Sequence, residues 1–153
     1  ENMNNQDSLL RLSGEAFRAS DQYLKTNDRG DVSSLILAGG WLGSLHIALR
    51  HTEGKGSEKV AQRVGEQRRA LGDLIALIEA NDREKQCDAL CADLRTLKQA
   101  FDAIKSTYQF EKPVTDVAAR TTFINGASSV TVTPEQLTAI AQQVETLRTK
   151  YLI

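Results

Sequence analysis

Apolar residues recur at intervals of three and four along most of the chain, the period of a helix with one buried face. Over residues 7–26 the stripe is Leu10, Ser13, Phe17, Ser20 and Leu24, flanked by Leu9, Ala16 and Tyr23. The turn formers Asn27, Asp28, Arg29 and Gly30 stop that helix, and Asp31 stands where an N-cap is expected. Residues 32–51 carry a second seam of Leu35, Ala38, Leu42, Leu45 and Leu49, with Ile36, Leu37, Trp41 and Ile47 outside it. A helix apolar on several sides is expected to pack on more than one. Glu53, Gly54, Lys55 and Gly56 end it, and Ser57 is expected to cap the third helix, over residues 58–80, with the seam Val60, Val64, Gln67, Leu71, Leu74 and Ile78. After Asn81 and Asp82 the most regular pattern predicts a fourth helix over residues 83–108, through Cys87, Leu90, Leu94, Leu97, Phe101, Ile104 and Tyr108.

The period then changes. Residues 113–132 are rich in β-branched side chains, and Asn125–Gly126 is the preferred centre of a tight hairpin turn. A small β-hairpin or flap is expected there. Thr133, Pro134 and Gln136 form a helix-start signature, in which Thr133 caps, Pro134 fits the first turn and Gln136 completes a capping box. The last seam is Leu137, Ile140, Val144, Leu147 and Tyr151. The predicted fold is all-α: one domain over residues 1–153, an antiparallel four- to five-helix bundle with a β-hairpin insertion before the last helix. Short links between long helices favour antiparallel neighbours.

Composition narrows the function. The net charge is -1, with 41% hydrophobic and 25% charged residues. That balance suits a globular domain and excludes a strongly basic nucleic-acid binder. Residues 32–49 carry no formal charge, the lower edge of a membrane-spanning length, but Ser33, Ser34, Gly39, Gly40, Gly43, Ser44 and His46 favour a buried central helix. The opening residues Glu1 to Asp7 have no signal-peptide pattern, so the sequence reads as a processed or truncated product. Cys87 and Cys91, four apart, read as free buried thiols. Metal and phosphate motifs fail: neither histidine belongs to a Glu-x-x-His pair, and Gly54–Lys55–Gly56–Ser57 lacks the phosphate-loop order. No cofactor is implied. Arg63, Arg68 and Arg69 are expected on a solvated face.

The candidate functional residues lie on the second helix. Three glycines, Gly39, Gly40 and Gly43, fall within five positions, each costing about 1 kcal/mol against alanine. The one-turn spacing of Gly39 and Gly43 predicts close contact with another helix, through Gly65 and Gly72 of the third, or a ligand laid against backbone. Trp41 is a packing anchor or part of a binding groove. His46, in an otherwise apolar stretch, is a core or interface histidine, with a ligand or pH-sensing role as the alternative.

Leu37–Ala38–Gly39–Gly40–Trp41 followed by Leu45, with Asp7–Ser8–Leu9, Tyr23–Leu24, Asn27 and Arg29–Gly30, resembles a segment of uncharacterised exported Bacteroidetes proteins, often predicted lipoproteins. The late stretch from Thr133 to Leu147 fits the same pattern, and the chain would match their C-terminal portion. Where that family has an acidic residue and then a tyrosine after the tryptophan, this chain has Gly43 and His46. The resemblance implies export, a helical architecture, a periplasmic or cell-envelope location and a membrane tether outside this chain. The leading expectation is a non-enzymatic binding or scaffolding module with a protein or small-molecule partner. The alternatives are a small-molecule sensor with a pocket near Trp41 and His46, and an enzyme of unknown class.

Overall fold

The computed structural model describes residues 5–52 and 57–151. Among them the chain is mostly helical, with a small β-hairpin before the last helix. The helices are α1 (Gln6–Thr26), α2 (Gly30–Leu49), α3 (Ser57–Gly65), α4 (Gln67–Asn81), α5 (Asp88–Asp102) and α6 (Pro134–Tyr151). Between α5 and α6 lie the strands β1 (Lys105–Gln109), β2 (Val114–Asp116), β3 (Thr121–Phe123) and β4 (Ala127–Thr131). The expected break at Glu53 to Gly56 lies outside the described residues.

The core forms where four helices meet. α2 packs on α4 and α6, and α5 packs on the same two. Phe101, Leu71, Ile78, Leu94, Leu97 and Ile140 are fully enclosed, and all come from the three- and four-residue seams. The seam of α2 contributes Ala38, Leu42, Leu45 and Leu49, with Ser34 in place of the expected Leu35. α2 is long and apolar enough to cross a membrane by length and composition. One of its sides is nevertheless consumed in packing on α4 and α6. Its other side is not buried: Ile36 and Leu37 are each 54% exposed and Ile47 60%.

Several boundaries differ from the sequence expectation, each for a local reason. Asp31 lies in the first turn of α2, and Arg29 takes the cap position. The predicted third helix divides at Glu66 into α3 and α4, next to the buried Gly65. The predicted fourth helix starts five residues late because the Asp82 carboxylate captures two backbone donors, Gln86 N at 2.9 Å and Cys87 N at 2.8 Å. Lys85, with φ 57°, completes that non-helical loop. The same helix ends at Asp102. Tyr108, expected on its seam, is a strand residue and 65% exposed.

The hairpin is longer than residues 113–132. β1 pairs antiparallel with β4, Lys105 opposite Thr131, and β2 continues the arm against β3, Val114 opposite Phe123. Asn125–Gly126 is not its tip. The chain reverses at Val117 to Arg120, where Asp116 Oδ1 accepts from Ala119 N at 2.9 Å and Arg120 takes φ 50°. Asn125 and Gly126 lie in the interruption between the two ladders. The start of α6 follows the expected capping box: Gln136 N donates to Thr133 Oγ1 at 3.3 Å and Thr133 N to Gln136 Oε1 at 2.9 Å.

At Gly43 the expected glycine contact is not formed. Among the described residues no atom lies within 4 Å of a Cβ built on Gly43. Gly65 instead faces the hairpin base, where its Cβ would fall 2.6 Å from Val130 Cγ1 and from Val132 Cγ2. Gly72 faces Lys98 of α5. The small stripes of the two helices therefore serve different neighbours. Gly43→Ala should accordingly stabilise the protein by up to about 1 kcal/mol, the helix-propensity gain alone. A thermal melt of this variant below the wild type would restore a tight contact at Gly43.

Candidate functional site

Among the described residues a groove of 810 Å³ lies between α1 and α2, closed behind by α4. Phe17 and Leu24 line it from α1, Ile36, Leu37, Gly40 and Trp41 from α2, and Leu77 from α4. The groove exists because α1 is amphipathic yet sits against a single neighbour. Its polar arc carries Arg11, Glu15 and Arg18, while Leu10, Phe17 and Leu24 share the opposite side. Among the described residues α1 packs chiefly on α2, and none of its side chains is buried. Phe17 is 71% exposed. The outer face of α2 meets it, so two apolar faces flank one cleft. The floor is low because Gly40 has no side chain, and no described atom lies within 4 Å of a Cβ placed there.

Trp41 is fixed in this wall. Its indole Nε1 donates to Gln67 Oε1 at 3.2 Å, and Gln67 Nε2 in turn donates to the Arg63 carbonyl at 3.3 Å. The ring is half-buried, packed against the core on one side and open to the groove on the other. At the loop end the lining turns polar. Asp21 accepts from Lys25 Nζ at 2.7 Å and from the Ser33 hydroxyl. The Lys25 hydrogen bond, then that of Ser33, holds the Asp21 carboxyl below the usual carboxylate range.

That end continues into a second depression of 380 Å³, which shares Lys25, Gly30 and Asn81 with the groove. Both charge signs line it. Arg29 Nε lies 3.2 Å from Asp31 Oδ1, and Arg83 reaches Asp28 at 3.6 Å. Cys87 borders this depression half-buried, and Cys91 is buried; both are free thiols. Burial, then the neighbouring Asp82 for Cys87, pushes both thiols up, so neither is primed as a nucleophile.

His46 lies outside the groove. Its Nδ1 is 3.1 Å from Glu145 Oε2, and its Nε2 is 3.1 Å from Arg148 Nη1. A guanidinium can only donate, so Nε2 accepts and the ring proton sits on Nδ1, directed at Glu145. The imidazole is thereby a tie between α2 and α6. A separate depression of 490 Å³, lined by Leu137, Ala141 and Glu145 among others, adjoins it. A further tie joins α5 to α6: Asp93 Oδ2 accepts from Lys150 Nζ at 2.6 Å and from the Tyr151 hydroxyl at 2.7 Å. Those two hydrogen bonds, that of Lys150 first, lower the Asp93 carboxyl.

Of the four residues singled out from sequence, only Trp41 lines the groove. His46 faces α6, and Gly39 and Gly43 are half-buried and do not line it. Gly40, noted in the sequence with its neighbouring glycines, also lines it, and the residues missed were Phe17 and Leu37. The signal for Leu37 was present: with Gly40 it lay outside the seam of α2, on a side with no assigned neighbour. Among the described residues no group of three His, Cys, Asp or Glu side chains is placed to hold a metal ion. Arg63 and Arg69 are exposed, and Arg68 reaches Ser106 of β1 at 3.4 Å. The chain matches no family model, no curated protein and no solved structure.

Proposed function

We propose that this protein is a non-enzymatic binding module whose working surface is the groove between α1 and α2. In this reading α2, α4, α5 and α6 form an antiparallel bundle that serves as the rigid frame. The observation that carries it is the pairing of a large, apolar, open groove with a tryptophan held by a hydrogen bond in its wall. An open apolar concavity with a few polar groups at one end is the usual form of a small-ligand site. Exposing Phe17, Ile36 and Leu37 to water stabilises nothing, whereas covering them on binding does. A location in the bacterial cell envelope is part of the same proposal and rests on the sequence resemblance alone.

A neutral apolar dye, N-phenylnaphthylamine, tests the reading. It should bind with enhanced emission, and Phe17→Glu and Leu37→Glu should each weaken that binding at least tenfold. Both side chains are largely exposed, so the melting temperature should change little. A wild-type protein that fails to bind the dye, or variants that bind it equally well, would overturn the groove as the working surface.

A further inference from the structure

The groove is not uniformly apolar, and its asymmetry points to a ligand class. Along α2 it runs from Gly30 to Ser44. Fourteen residue steps at 1.5 Å make that about 21 Å. One extended acyl chain spans about half of the roughly 30 Å hydrocarbon core of a bilayer, so one such chain fits lengthwise. The volume of 810 Å³ falls in the range of single-ligand sites. The walls along this length are Phe17, Leu37 and Trp41, and the floor is open above Gly40.

The head end is different in kind. Through Lys25, Gly30 and Asn81 the groove passes into the 380 Å³ depression, where Arg29 and Arg83 stand among Asp31, Asp82 and Glu84. Lys25, Arg29 and Arg83 stand there with Asp28, Asp31, Asp82 and Glu84, so a head group of either sign alone would meet several like charges. A head carrying both signs can meet each with its opposite. The pairs that line the entrance are solvent-exposed: the side chains of Arg29 and Asp31 are 57% and 44% accessible, those of Arg83 and Asp28 80% and 85%. Such pairs are worth little by themselves, so a ligand exchanges with them at low cost. A membrane surface is a poorer match. α1 carries Arg11, Arg18 and Lys25 against Asp7, Glu15 and Asp21, so it has no cationic excess to draw it to anionic lipid.

We propose that the groove holds one molecule of a single-chain amphiphile with a zwitterionic head, its chain lying between α1 and α2 against Trp41 and its head in the mixed-charge depression. This deepens the binding reading above and rests on it. Trp41 is the sole tryptophan, so its emission reports the site directly. Monomeric dodecylphosphocholine, kept below its micelle concentration, should give a saturable blue shift with one molecule bound per chain. Dodecyl sulfate, dodecyltrimethylammonium and dodecanol carry the same chain with an anionic, a cationic and an uncharged head. Each should bind at least tenfold more weakly. Gly40→Leu fills the floor where a side chain meets open space. It should weaken dodecylphosphocholine binding at least tenfold while the melting temperature holds or rises.

Equal binding of all four amphiphiles would overturn the head-group assignment and leave the apolar groove standing. Binding of none of them, together with no binding of the neutral dye, would overturn both. Attachment to phosphatidylcholine vesicles without uptake of monomer would assign the groove to a bilayer surface. A dimer in sedimentation that Gly40→Leu dissolves would assign it to a second copy of the chain. Either result overturns the proposal.

Discussion

Phe101→Ala is expected to cost about 3–5 kcal/mol. Phe101 lies at the end of α5 with 0% exposure, among the enclosed side chains of the core. It sits where the helical period gives way to the hairpin, three residues before the buried Ile104. Truncation removes the transfer free energy of the ring and leaves a cavity. The surrounding Leu and Ile side chains are held by several helices at once and cannot all collapse into it. Urea unfolding followed by helical circular dichroism measures the change. A loss under about 1 kcal/mol would mean that the ring is not enclosed.

Gly65→Leu is expected to destabilise by about 1–3 kcal/mol through overpacking, and its effect should be directed at the hairpin. The first carbon of any side chain at Gly65 would lie 2.6 Å from both Val130 and Val132. Valine side chains are stiff, so the hairpin base must shift away from α3. Amide protection in β1 and β4 should fall together, while that of α4 and α5 stays. A second substitution, Val130→Ala, should recover part of the loss in Gly65→Leu although it costs stability alone. Gly65→Leu with unchanged hairpin protection would mean that the docking of α3 on the hairpin is dispensable.

The seams were legible because burial in helices is periodic. Leu71, Leu94, Leu97, Ile140 and Val144 all sit at three- or four-residue intervals, and all are enclosed. The capping box at Thr133 and Gln136 was legible for a similar reason, since both bonds join residues three apart. Asp82 shows where such reading stops. Its side chain captures the backbone N–H groups of Gln86 and Cys87, and that local competition removes five residues from a helix the apolar spacing had extended. At Tyr108 a distant partner decided the structure: Ser128 of β4 pairs with it across the ladder and converts a helical seam position into a strand position.

The candidate site was half legible. Trp41 stood out by type and by its place beside three glycines. The groove it lines depends on which side of α2 lacks a neighbour, and a sequence does not state that. Gly39 and Gly43 satisfied the spacing for close helix contact, but spacing fixes only that two residues share a face. What lies opposite the face is set by the packing of the other helices.

By itself, then, the sequence determined most of the helical segments, the buried stripes of α4, α5 and α6 and most of that of α2, the presence of an extended insertion before α6 and the capping of α6. Each depends on residues within a turn or two of one another, so period and type suffice. None of the stripe read on α1, by contrast, is buried. Only the tertiary structure decided that the hairpin turns at Val117 to Arg120, that Gly65 serves Val130 and Val132, that His46 ties α2 to α6, and that α1 leaves an apolar groove open beside Trp41. All but the turn join residues far apart in the chain, and their meeting depends on how four packed helices share one core.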